Sequence, residues 1–163
     1  MRHRVSAFVL ATFLVLPHLN GPIGSSGTAQ AAGVGSLGGT WRGNGRLNLS
    51  NGKSERLRCR AYYTPKNKGA KRGMAIRCAS PSYKIEIRSK LNISGKRVSG
   101  SWEERNFNAT GSLSGTSRPG RIALSVSGAV KAGLFLSYSS SRQNVRLTGN
   151  FGAFRSLLLT LRK

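Results

Sequence analysis

The chain has no aspartate, and its 163 residues carry only four acids: Glu55, Glu86, Glu103 and Glu104. Histidine occurs twice, as His3 and His18 close to the N-terminus. General acid–base catalysis draws mostly on His, Asp and Glu, so beyond residue 18 only the four glutamates could serve. Glu103 and Glu104 are the one close pair, and as strand neighbours they project to opposite faces. A serine nucleophile would need a base that lysine alone could supply, and no serine stands in a recognisable motif. The two cysteines lack the His and Asp partners that a zinc site would add to them. The expectation is a chain with no catalytic residues, no metal and no cofactor.

Helical spacing is missing as well, apart from the N-terminal segment. There, "MRHR" precedes the apolar run "VSAFVLATFLVL", and "AQA" at 29–31 fits a small-x-small cleavage pattern. The apolar run is shorter than the roughly 20 residues a spanning helix needs. Residues 1–31 therefore read as an export signal, 32–38 as a flexible lead-in, and 39–163 as a single domain in a periplasmic or secreted protein. Loss of 1–31 removes both histidines, Arg2 and Arg4, leaving 25 Lys and Arg against four acids, a net charge of +21.

What is present in quantity is period-two alternation. In "YKIEIRSKL" (83–91), Tyr83, Ile85, Ile87, Ser89 and Leu91 share one face, with Lys84, Glu86, Arg88 and Lys90 on the other. "RLRCRAYY" (56–63) sets Leu57, Cys59, Ala61 and Tyr63 against Arg56, Arg58, Arg60 and Tyr62. Turn signals such as "SNGK", "SGK", "SGTSRPG" and "TGNFG" separate these runs. The pattern predicts roughly eight to ten short strands in an antiparallel up-and-down meander. They lie near 40–49, 55–63, 73–79, 83–93, 97–105, 108–113, 121–127, 133–140, 144–149 and 154–162. Closing the meander into a barrel covers its apolar face and removes its open edges; a two-sheet sandwich is the alternative.

Cys59 and Cys78 then fall on the inward faces of neighbouring strands. With residue 59 opposite 78, Leu57 faces Ser80 and Ala61 faces Ile76, so the apolar faces agree. Inward sulfurs, an even count and an oxidising compartment predict a structural disulfide rather than a reactive thiolate or a metal site. The arginines flanking each cysteine belong to the opposite face. The same register puts Arg60 opposite Arg77, a like-charge contact that Glu86 on the next strand can relieve.

The outward cations form the other candidate site. Arg56, Arg58, Arg60, Arg77 and Arg88, with the hairpin cluster Lys66, Lys68, Lys71 and Arg72, make an anion-attracting surface. Its expected partner is an anionic envelope component: lipopolysaccharide, anionic lipid or acidic glycan. Outward aromatics are few (Tyr62, Phe135), which argues against nucleic acid, whose single strands need stacking platforms. A second reading is a carrier of a small apolar ligand inside the barrel, with Trp41, Ile85, Ile87 and Trp102 on the interior wall and Glu104 near the mouth. A third is an inhibitor of a secreted enzyme that presents its loops to its partner.

One further motif bears on the architecture. "GGTW" (38–41), echoed by "SGSW" (99–102), resembles the opening of lipocalins and avidins, the calycin-type barrels. The resemblance implies that Gly39 permits a close bend and that Trp41 plugs one barrel end. The sequence does not fix which residue takes the place of the lipocalin arginine that packs on this tryptophan, and the avidin pattern of ligand aromatics is not evident. The layout "GxW … RC … RC" also resembles small exported proteins of Gram-negative bacteria, which implies a location and a fold but no activity.

Overall fold

Alternating side chains of this kind gain most when all their inner faces meet, and the structure, a computed structural model, shows that outcome. It describes residues 32–66 and 71–163; the expected signal segment 1–31 and Lys68 lie outside the described residues. Ten strands follow one another: β1 (Gly39–Leu49), β2 (Ser54–Lys66), β3 (Lys71–Ala79), β4 (Lys84–Ser94), β5 (Arg97–Glu104), β6 (Ala109–Arg118), β7 (Arg121–Gly128), β8 (Lys131–Tyr138), β9 (Arg142–Phe151) and β10 (Phe154–Arg162). Each pairs antiparallel with its neighbour in sequence, and β1 pairs with β10 to close the barrel. The meander is a barrel, not a sandwich, and among the described residues no edge strand is left unpaired.

The inner wall is built from every second residue. Ile122, Leu124 and Val126 of β7 are buried while Arg121, Ala123 and Ser125 are exposed. Sharp bending is possible where inward positions carry no side chain. A Cβ on Gly43 would stand 2.1 Å from the Thr160 carbonyl oxygen, and one on Gly100 would stand 2.1 Å from that of Lys90, so only glycine fits at either place. Cys59 of β2 lies directly opposite both Gly43 of β1 and Cys78 of β3. The two cysteines are joined, with Cα atoms 4.1 Å apart, and both are buried in the wall.

The barrel has unlike ends. Where β1 begins, Val34–Leu37 forms a 3-10 turn that lays Leu37 over the interior. These residues read from sequence as part of a flexible lead-in; they are ordered because Leu37 has an apolar lid position to fill and because Gly120 N–H bonds the Ala32 carbonyl at 2.8 Å. Trp41, 0% exposed, lies beneath the turn and donates its Nε1–H to the Leu37 carbonyl at 2.8 Å. Gly39 takes φ +106°, the left-handed bend that brings the turn across the barrel end. Trp41 is the plug that the resemblance implies. The cation over its ring is Lys163, with Nζ 5.3 Å from the ring centroid and bonded to the Ser36 carbonyl at 2.9 Å.

Candidate functional site

The opposite end is open. The turns β3–β4, β5–β6, β7–β8 and β9–β10 surround a cavity of about 550 Å³, within the ~300–1,000 Å³ range of small-molecule sites. Ile85, Ile87, Trp102, Val126, Leu134 and Leu147 form much of its wall. An aromatic collar stands at the mouth. Phe154 meets Tyr83 and Phe107 edge-on, at 5.0 Å and 5.7 Å between centroids, and Phe151 lies tilted to it at 6.1 Å. Phe107 is 51% exposed, an unusual position for a large apolar ring in water.

Glu104 sits inside this rim at 8% exposure. Its carboxylate accepts the Glu86 N–H at 2.7 Å, the Phe107 N–H at 2.6 Å and the Asn106 Nδ2–H at 3.2 Å. Those bonds fold the β5–β6 turn inward and aim Phe107 at the collar. Of the interior residues expected from sequence, Ile85, Ile87, Trp102 and Glu104 line this cavity, whereas Trp41 closes the far end. The collar was not legible, because Phe107, Phe151 and Phe154 lie in or beside turns where alternation breaks down.

A second, smaller chamber of about 40 Å³ lies towards the closed end, and Met74, Leu113 and Leu134 line both chambers. It contains the main correction to the sequence reading. Arg72, expected outward with the hairpin-tip cations, points inward and is only 5% exposed. Its place follows from the phase of β3, because residues 72, 74, 76 and 78 share the face of the buried Cys78. Beside it the Tyr63 hydroxyl donates to Gln143 Oε1 at 2.6 Å, both groups buried. Burial pushes the Tyr63 hydroxyl pKa well up, partly offset by Gln143. Burial likewise raises that of Tyr138, against the opposing effects of the Gly120 backbone and of the Arg72 charge.

The remaining candidate cations take the outer face. Arg56, Arg58, Arg60, Lys71 and Arg77 are exposed and Arg88 is half-buried; Lys66 ends β2 in register with Lys71. The registers extend the single Arg60–Arg77 contact into a row. Arg77, Arg60, Arg42, Arg162 and Arg142 stand side by side on five adjacent strands, β3–β2–β1–β10–β9. A parallel row runs Arg56, Arg46, Leu158, Arg146, Phe135. One acid borders this face. Glu86 Oε1 lies 2.7 Å from Arg88, 3.4 Å from Arg77 and 3.9 Å from Arg105, and the hydrogen bond from Arg88 leads the interactions that hold its carboxyl below the usual range. Among the described residues there is no group of acids, histidines and cysteines fit to hold a metal ion, and no helix long and apolar enough to cross a membrane.

No family model matches the sequence, and no curated protein sequence matches it. The fold does have a counterpart among solved structures. The S-type phycobiliprotein lyase CPES from Guillardia theta superposes with a TM-score of 0.51 at 11% identity, over 78% of this chain and 88% of that one. The chain is a closed ten-stranded antiparallel barrel of calycin-like fold.

Proposed function

We propose that this chain is an exported, non-enzymatic binding protein that holds a small, largely apolar ligand in its barrel. The observation that carries this reading is the 550 Å³ cavity with apolar walls, open at the aromatic collar. A carrier needs an apolar interior that a ligand can reach from solvent; the largely apolar lining and the mouth at the collar support that reading, with Trp41 closing the other end. Disulfide formation in the wall suits an oxidising compartment. The lyase named above shares the fold at 11% identity, a likeness that carries no substrate across. Native mass spectrometry of protein purified from its own source tests the reading, with Ile87→Trp as the variant that fills the cavity. A retained small molecule, lost in that variant, is expected; an empty barrel that also ignores the neutral dye Nile red would end the idea.

The outer face supports a second reading, docking on lipopolysaccharide, anionic lipid or acidic glycan. Its specific observation is the five-arginine row, which lacks an acid except Glu86 beside Arg77. Such a surface draws polyanions in with a strength that falls as salt rises. The two readings are compatible, since one uses the interior and the other the exterior. Inhibition of a secreted enzyme has no observation of this kind behind it.

A further inference from the structure

Buried polar atoms are nearly always hydrogen-bonded, and exceptions call for a reason. The closed half of this barrel holds several exceptions of one kind. Arg72 Nε and Nη1 and Gln143 Nε2 are buried and have no hydrogen-bond partner among the described residues, and the Tyr138 hydroxyl is buried beside them. All can donate. The amide acceptor beside them, Gln143 Oε1, is taken by Tyr63. The groups are neighbours: Tyr138 and Gln143 face each other across β8 and β9, Gln143 bonds Tyr63, and Tyr63 lines the small chamber with Arg72.

A guanidinium keeps its charge in any protein setting, so Arg72 brings a full positive charge into the barrel. No acid of this chain lies near it. Glu104 is tied to the β4 backbone at the open end, Glu86 is engaged by Arg77, Arg88 and Arg105, Glu103 faces outward from β5, and Glu55 lies near the start of β2 at the same open end. A buried charge with no counter-charge is strongly unfavourable. The chain therefore carries an unmet demand for one negative charge and several acceptor lone pairs, at the bottom of an apolar cavity.

We propose that the barrel takes a long-chain carboxylic acid, its carboxylate on Arg72 and its hydrocarbon chain in the larger cavity towards the mouth. The proposal rests on the ligand-holding reading above and names the ligand's chemical class. A carboxylate supplies one charge and about four lone-pair sites, matching a guanidinium and its neighbouring donors. The chamber at Arg72, about 40 Å³, suits a small planar head better than a bulkier phosphate ester. Met74, Leu113 and Leu134 separate the two chambers, and the unbranched thioether of Met74 can yield to let a chain pass.

The test compares hexadecanoic acid, hexadecyl phosphate and the uncharged hexadecan-1-ol on the full-length, disulfide-bonded protein by isothermal titration calorimetry. The acid is expected to bind about tenfold or more tightly than the alcohol, the scale of a buried charge-assisted hydrogen bond, and more tightly than the phosphate. Arg72→Met should erase the preference while the alcohol still binds. Arg56→Gln with Arg58→Gln, on the outer face, should leave the preference intact. Equal affinity for acid and alcohol, or a preference that survives Arg72→Met or disappears with the outer-face variant, overturns the proposal and leaves the carrier reading standing. Stronger binding of the phosphate overturns the carboxylate assignment. If neither acid nor alcohol binds, the carrier reading fails first and this inference with it. Circular dichroism of Arg72→Met guards against misfolding, and Arg72→Lys, which keeps the charge but loses the fork, should retain part of the preference.

Discussion

Lys163 holds its ammonium over the indole of Trp41, 5.3 Å from the ring centroid, while donating to the Ser36 carbonyl. One side chain thus ties the end of β10 to the 3-10 turn and to the plug of the barrel. The tryptophan in turn bonds Leu37 of the same turn. Cation, ring and turn form one latch over the closed end, joined by contacts that a single truncation can break.

Removing the ammonium tests that latch. Lys163→Ala should lower stability by about 0.5–2 kcal/mol, the range for a cation over an aromatic face. Trp41→Ala should cost about 3–5 kcal/mol, the scale for emptying a large buried ring. Trp41→Phe lies between, because it keeps most of the volume and loses the bond to Leu37. Urea unfolding of the three variants gives the ordering; equal midpoints for wild type and Lys163→Ala would show that the latch is incidental.

The disulfide yields a second prediction. Cys59 and Cys78 close a loop of sequence separation 19, and in the chain-entropy model a loop of that size is worth about 3 kcal/mol. The paired Cys59→Ala, Cys78→Ala variant should unfold at a correspondingly lower denaturant concentration. Its barrel should survive, because both positions are buried and the neighbouring pairs Ala61–Ile76 and Arg60–Arg77 hold the register. The protein unfolded without reductant should show no titratable thiol.

How far the fold could be read in advance depended on how cleanly alternation persisted. In β2, β4 and β7 the inward positions are apolar apart from Glu55 and Ser89, and strand, face and even the Cys59–Cys78 register followed from that rhythm. Arg72 shows where it failed. The run "KNKGAKR" looks like a solvated tip by composition, yet Arg72 is in phase with Met74, Ile76 and Cys78, and phase outweighs polarity once β3 is extended to Lys71. Gln143 was open to the same inference, standing two residues before the buried Val145. The cavity was not legible at all. Whether a barrel interior is filled or hollow depends on strand number and on side chains from all strands together, which no local pattern contains.

Acidification should weaken the protein through Glu86. Hydrogen bonds from Arg88 and Arg77 lower its carboxyl below the ordinary value of 4.5, so the folded state binds this proton less readily than the unfolded chain. A depressed carboxylate contributes stability above its unfolded pKa and loses it as pH falls through the folded one. The thermal midpoint should hold from neutral pH to about 5 and then decline as the solution becomes more acidic. In Glu86→Gln this part of the decline should be absent and the midpoint at pH 7 lower, because Arg77, Arg88 and Arg105 lose their shared counter-charge. An unchanged acid limb in that variant would assign the effect to another carboxylate.

The arginine row should show the opposite signature, favouring association at the expense of the fold. Arg60 has Arg42 on one side and Arg77 on the other, directly opposed on adjacent strands. Like charges so placed repel, by about 0.2–1 kcal/mol for a pair on a sheet surface. Arg60→Gln should therefore leave stability unchanged or raise it by that amount, even though it removes a long side chain from the surface. Binding to phosphatidylglycerol vesicles should weaken in the same variant, and in the wild type it should fall steeply between about 0.05 and 0.5 M salt as screening shortens the reach of the row. The pairing of the two effects is the diagnostic. A residue that merely solubilises the barrel would lose neither stability nor vesicle affinity when neutralised, and one that holds the sheet together would lose stability first. A variant that is as stable as the wild type yet binds anionic vesicles less well places the role of Arg60 outside the fold, in recognition of a charged surface.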